Sequence, residues 1–364
     1  MSKDYRFDQG EGYRIYRNVI DEEKAKEIFM YSTLEICFYV FGQEATKLIN
    51  NLSMKVTQII CDPNLRKELA IPDDVVRRNG NPRESKVLKK SGKTSLYLSP
   101  YIRDHIRRNV DVYNIFKEMY TTEKLAFSAG LDHIIYKPNM SEESLPILDC
   151  TIFEPLNHST SIKNPFHYTC FMGMSSKTGK DSGMISLLIN FDRYFDIIKT
   201  LIKLDGKFPI SKQKKGITVS LLENLNIENI NKELKEMIEF RGEIFYPLYW
   251  KQVDVMPGDM LLFDCRIPYK TDRNRSEDPI MYVPISLRPI DQSWYSSESR
   301  RRLIRSITEG KAGNWSKRTT KGCNLDEFRW RSNEENLLNS KMTSCIGIDN
   351  FTEKDLKIFG IKQY

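Results

Sequence analysis

Histidine is scarce in this 364-residue chain: there are four, His105, His133, His158 and His167, and none lies beyond residue 167. A site that draws imidazoles from both halves of the sequence is therefore excluded. The seven cysteines (Cys37, Cys61, Cys150, Cys170, Cys265, Cys323, Cys345) stand singly with no C-x-x-C pair, which argues against a zinc knuckle and against a disulfide framework. No run of roughly eighteen apolar residues occurs, so a membrane span is not expected. Met1–Gly10 is polar and of mixed charge, unlike a secretory leader. Internal repeats, low-complexity tracts and long Gly/Ser/Pro linkers are also lacking. These absences lead to the expectation of an intracellular, cytoplasmic protein with no membrane association, built as one compact unit.

What is present fits an ordinary globular chain, 40% apolar and 11% aromatic, with 56 Lys+Arg against 49 Asp+Glu. The net charge of +7 is unevenly placed. From Arg300 to Arg331 ten basic residues face three acidic ones, so this segment alone nets +7. Arg300, Arg301, Arg302 and Arg305 form its densest patch, and Trp315, Phe328 and Trp330 are interleaved further on. Phosphate contacts plus stacking give a nucleic-acid reading of that segment. A solvated helix face followed by a packed tail is the simpler one.

Periodicity divides the chain into three regions: a helical front over 1–100, a strand-rich core over 101–296, and a basic, mostly helical tail over 297–364. Asp21 is placed to cap a helix, and Ile102, Ile106, Val110, Tyr113, Phe116 and Met119 form one helical face. Strands are expected at 131–136, 145–153, 167–172, 184–189, 218–222, 244–249, 260–263 and 281–287, with a helix over 226–240 between them. Helices flanking an antiparallel strand set predict an α+β fold with a double-stranded β-helix core, the jelly-roll or cupin-like arrangement.

The most informative stretch is Val253-Asp-Val-Met-Pro-Gly-Asp-Met-Leu-Leu-Phe-Asp-Cys-Arg-Ile-Pro-Tyr269. Pro257-Gly258-Asp259 makes a turn that feeds an apolar strand, and the strand delivers Asp264, Arg266 and Tyr269 at its end. With Asn274-Arg-Ser276, Pro279 and the strand after it, this stretch resembles the phytanoyl-CoA dioxygenase-like family of Fe(II)/2-oxoglutarate oxygenases. The family pattern reads P-G-D-x-x-x-F-D-x-R-x-x-H, then N-x-S-x-x-P-R. Leu131-Asp-His-Ile-Ile-Tyr-Lys-Pro138, Asp181-Ser-Gly-Met-Ile-Ser-Leu187, Thr308–Trp315 and Leu356–Gly360 resemble further family segments in the family's order, so the likeness covers about residues 100–364.

The resemblance implies a site of two histidines and one carboxylate on iron, with positions open for 2-oxoglutarate and dioxygen. The first two ligands come as H-x-D on one strand, because alternate residues share a face. The matching positions here are His158 and Thr160, or alternatively His167 and Thr169, and both alternatives place threonine where the carboxylate belongs. The distal histidine is replaced by Tyr269. The arginine that forks onto 2-oxoglutarate is replaced by Ile280, with Arg266, Arg273 and Arg275 nearby but off register.

These departures lead to the expectation of a non-catalytic pseudo-oxygenase with no cofactor, acting as a structural or binding module through protein partners. The family's occurrence in large DNA viruses, with a composition suited to an AT-rich genome, adds a virion or assembly component to that expectation. The alternative is an active hydroxylase using Fe(II) and 2-oxoglutarate at a rearranged site. It would draw on His158, His167 and a carboxylate such as Asp264 or Asp259, with Arg266 or Arg275 on the cosubstrate.

Overall fold

The computed structural model describes residues 11–29, 32, 93–95, 102–127, 133–137, 141–144, 146–148, 168–175, 181–204, 226–276, 279–285, 287–290, 300–301, 352–358 and 362. Within them the chain forms β1 (Tyr13–Tyr16), α1 (22–29), β2 (Lys93–Ser95), α2 (Val110–Tyr120), β3 (Leu125–Phe127) and β4 (His133–Lys137). It continues with β5 (Tyr168–Gly173), β6 (Ile185–Ile189), α3 (Phe195–Leu204), α4 (Ile227–Phe240), β7 (Tyr249–Val253) and β8 (Met260–Asp264). The last elements are β9 (Tyr269–Thr271), β10 (Ile280–Ile285), β11 (Leu287–Pro289) and α5 (Glu353–Ile358). The fold is α+β, and every strand pair among the described residues is antiparallel.

Six strands form one sheet in the order β1-β8-β5-β10-β4-β2, and three form another in the order β7-β6-β9. Inward residues of both sheets meet in one apolar core. Ile135, Phe171, Leu261, Phe263, Ile280 and Tyr282 come from the larger sheet, and Ile185, Leu187, Ile189, Val253 and Tyr269 from the smaller. Their spacing by two along β6, β8 and β10 follows from strand geometry, which sends alternate side chains to the same face. A bridge between Ile147 and Tyr269 adds residues 146–148 beside β9.

Helices cover the outer faces. Asn109 caps α2, accepting hydrogen bonds from the backbone of Asp111 at 2.8 Å and Val112 at 3.2 Å, and Thr121 closes it in a left-handed conformation. The Tyr120 ring at the end of α2 meets Tyr168 of the larger sheet at 5.1 Å, and the Tyr168 backbone N–H donates to the Tyr120 hydroxyl. On the smaller sheet, Leu188 packs with Ile198 of α3 and with Leu234 and Ile238 of α4. Asp21 caps α1 as its position predicts, accepting from the backbone of Glu23 and Lys24. No described helix is long and apolar enough to cross a membrane.

One expectation on secondary structure needs correction. The strand expected at 244–249 starts only at Tyr249, because side chains take over the backbone groups that a ladder would use. Tyr246 N–H donates to the Tyr194 hydroxyl, the Pro247 carbonyl accepts from Asn190, and both backbone groups of Leu248 bond to the Asn231 amide. Of the strand expected at 145–153, the described residues 146–148 make only the Ile147 bridge. The strand expected at 218–222 lies outside the described residues.

Candidate functional site

The Pro257-Gly258-Asp259 turn is held from three sides. Gly258 sits at φ +86°, donates to the Gly173 carbonyl at 2.9 Å and accepts from Ile20 N–H at 3.2 Å. The Asp259 carboxylate accepts from Arg17 at 2.5 Å, from Asn18 N–H at 3.0 Å and from Met256 N–H at 3.1 Å. This carboxylate is therefore a fixed part of the turn, tying the N-terminal segment to the start of β8.

At the far end of β8 the chain reverses around a second ion pair. Arg266 forks onto Asp264, with Nε to Oδ1 at 2.9 Å and Nη2 to Oδ2 at 2.6 Å, and its backbone N–H also reaches Oδ1 at 2.8 Å. Burial opposes the Arg266 charge, but the Asp264 fork outweighs it and holds the guanidinium above its ordinary pKa. Asp192 faces this pair and is half-buried. Desolvation, with the Asp264 charge second, pushes its carboxyl up to about 6.

The reversal delivers Tyr269 to the first position of β9, where the resemblance places the distal histidine. Its ring is buried, 5.1 Å from Phe171 and 5.6 Å from Phe263, edge-on to both, and those two rings are themselves 5.9 Å apart. The backbone of Tyr269 exchanges both hydrogen bonds with Ile147, at 2.8 and 2.9 Å. Thr169 lies on β5 opposite Phe263 and is buried. Three aromatic rings, two from the larger sheet and one from the smaller, thus meet between the sheets at this end.

At the opposite end of the same core, Ile280 begins β10 fully buried and pairs across the sheet with Lys137 of β4. Lys137 is also buried, and its ammonium donates to the Glu142 backbone carbonyl. Burial lowers its pKa to about 8, against the opposing pull of Asp272, Glu142 and Glu143. Arg273 pairs with Asp181 at 2.6 Å and Arg275 with Glu142 at 3.2 Å.

The structure thus brings Thr169 and Tyr269 to one core, with Ile280 at its other end, and it commits Arg266, Arg273 and Arg275 to carboxylates of the chain itself. His158, Thr160, His167, Arg302 and Arg305 lie outside the described residues. Of the basic patch, Arg300 is half-exposed and Arg301 exposed. Sequence reasoning missed the roles of Phe171, Phe263, Lys137 and Asp192. Only Lys137 left a readable signal, a lysine in step with the inward Ile135 on a strand.

No group of three His, Cys, Asp or Glu side chains among the described residues is placed to hold a metal ion. Asp259 and Asp264 are each engaged by an arginine, and Ile280 offers no donor.

No protein-family profile matches this chain, and no curated protein matches it. Solved structures do. The chain is similar to the non-heme alpha ketoglutarate dependent epimerase SnoN from nogalamycin biosynthesis, at 11% identity and a TM-score of 0.39 over 77% of this chain and 79% of that one. It is also similar to SnoN in complex with Fe3+, alpha ketoglutarate and nogalamycin RO, at 10% identity and a TM-score of 0.37 over 76% of this chain and 79% of that one. At this level neither structure assigns a role to any residue here.

The Asp192 carboxyl yields a prediction. Its folded pKa, about 6, lies above the ordinary carboxyl value near 4, so folding takes up a proton between those limits. The stability it contributes is complete below about pH 4 and is lost as pH rises through about 6. Asp192→Asn is therefore expected to raise stability at pH 7.5 by about 1–2 kcal/mol, discounted for its partial exposure, and to leave stability at pH 4 nearly unchanged. Thermal unfolding at the two pH values checks this, and an equal gain at both would refute the assignment.

Proposed function

We propose that this chain is a non-catalytic relative of the phytanoyl-CoA dioxygenase-like oxygenases, a double-stranded β-helix that serves as a structural or binding module for protein partners. The strand course supports the fold reading. From β4 to β10 the chain alternates between two sheets except at β6 and β7, which pair with each other, giving neighbours β4, β10, β5 and β8 in one, and residues 146–148, β9, β6 and β7 in the other. That order supports a jelly-roll reading.

The observation that carries the functional reading is the packing of Tyr269 against Phe171 and Phe263. A tyrosine wedged edge-on against two rings stabilises the core where the resemblance calls for an imidazole. Ile280 removes the matching anchor at the other end. A module without chemistry of its own works by presenting surface, and a virion or assembly component is the setting we favour.

Calorimetric titration of Mn(II) into the full chain, with and without 2-oxoglutarate, tests the proposal. The expected result is no one-to-one binding under either condition. Tight stoichiometric binding strengthened by 2-oxoglutarate would overturn it and restore the reading of a rearranged hydroxylase site, in which His158→Ala or His167→Ala abolishes the binding.

A further inference from the structure

β7 is the edge strand of the smaller sheet, and no strand among the described residues pairs with its outer side. The ladder fixes which backbone groups it leaves open. Leu188 N–H donates to the Pro268 carbonyl on the β9 side, so Leu188 turns its backbone away from β7. Its partner in the β6–β7 pairing is Trp250, and backbone direction alternates along a strand, so Tyr249, Lys251 and Val253 face β6 while Trp250 and Gln252 face outward. Leu248 is outward too, but the Asn231 amide bonds both its backbone groups and stands in for a neighbouring strand. At the other end the Asp254 carbonyl accepts from Arg17 at 3.4 Å. The open stretch is therefore short and bounded on both sides.

Exposed apolar side chains gather around this edge. Of the six large apolar residues exposed among those described, five (Phe240, Ile244, Tyr246, Tyr249 and Met256) fall between 240 and 256, and only Val110 lies elsewhere. The segment leading into β7 is held in place: Phe245 stacks on Tyr194 at 6.1 Å, Tyr246 N–H donates to the Tyr194 hydroxyl, and Arg193 lies over the Tyr246 ring at 4.3 Å. Apolar surface fixed in this way marks an interaction site, because little ordering entropy is left to lose on binding.

A lysine in mid-strand commonly guards an edge against pairing. Lys251 does not act so here. Its ammonium bonds both oxygens of Glu11, at 2.7 and 2.9 Å, so the edge presents a neutral ion pair and no uncompensated charge. Lys251 is also the midpoint of β7, between the two open residues.

We propose that β7 pairs antiparallel with β7 of a second copy of this chain, about a two-fold axis through Lys251. Trp250 of each copy then exchanges backbone hydrogen bonds with Gln252 of the other, and the two smaller sheets run on as one. A two-fold interface must match itself, and this edge does. Turned end for end, the Tyr249 end of one copy, with Ile244 and Tyr246 leading into it, meets the Met256 end of the other. At the axis two ammonium groups and two carboxylates balance. The proposal rests on the reading of the chain as a module that works through protein partners, and it names that partner as the chain itself.

Sedimentation velocity of the full chain across a wide concentration range tests the pairing. The mass is expected to pass from one chain to two as concentration rises. Gln252→Pro removes an outward N–H and leaves the β6 ladder intact, and Lys251→Glu leaves only carboxylates at the axis. Each is expected to weaken the dimer by about tenfold or more. Exchanging the charges, Glu11→Lys together with Lys251→Glu, is expected to restore it. Val110→Ser, at the exposed residue away from the edge, is expected to leave it unchanged, and circular dichroism checks that each variant is folded. A single-chain mass at every concentration, or a dimer indifferent to both edge variants, would overturn the pairing. The Mn(II) titration decides the non-catalytic reading separately, so the two claims fail independently.

Discussion

Gly258→Ala is expected to cost about 3–5 kcal/mol, enough to remove most of the folded population of an ordinary domain. Two effects combine. At φ +86° an L side chain is strained, and a Cβ at this position would lie 2.2 Å from the Ile20 carbonyl oxygen, a backbone atom that cannot swing aside. Relieving the clash would break the bonds from Ile20 to Gly258 and from Gly258 to Gly173, which join the N-terminal segment, β5 and the turn before β8. Gly242→Ala is the matched control. Gly242 has φ +69° but nothing within 4 Å of an added Cβ, so only the conformational penalty of about 1 kcal/mol applies. Urea unfolding of the two variants compares them, and equal losses would mean that the close approach to Ile20 is not what makes Gly258 necessary.

Tyr269→Ala is expected to cost about 3–4 kcal/mol, because truncating a buried aromatic side chain loses its transfer free energy and leaves a cavity that the two flanking rings cannot fill by rotation. The denaturation midpoint should fall with little change in slope, since the surface exposed on unfolding hardly alters. A loss below about 1 kcal/mol would show that the ring is not packed between Phe171 and Phe263 and would weaken the functional proposal with it.

What the sequence allowed one to read, and what it hid, follows the range of the interactions involved. The Pro257-Gly258-Asp259 turn, the Asp21 cap, the helix over 226–240 and the apolar strand at β8 were legible, because each depends on residues a few positions apart. The departures at Tyr269 and Ile280 were legible as departures, since a missing imidazole and a missing guanidinium are absences of residue type. What took their place was not. That Phe171 and Phe263 flank the Tyr269 ring depends on the register of β5 against β8, Thr169 opposite Phe263, and no local pattern encodes that register. The late start of β7 was hidden for the same reason. Asn190, Tyr194 and Asn231 bond to residues 246–248 from 17 to 57 positions away. β1 is four residues long with no alternation of its own, and it becomes a strand only because β8 offers an edge.

That last pairing bears on how the chain is made. β1 is the first of the described strands to leave the ribosome, and its partner β8 follows almost 250 residues later, with Tyr13 opposite Phe263 and Tyr16 opposite Met260. β5 likewise waits for β8 and β10 on its two sides. The larger sheet therefore cannot close during most of translation, and the apolar residues of β4, β5 and β6 must stay shielded until it does. A nascent chain halted before residue 280 would expose unpaired strand edges and depend on a chaperone to stay soluble, and the passage past Ile285, which sets β10 between β4 and β5, is the moment at which that dependence ends.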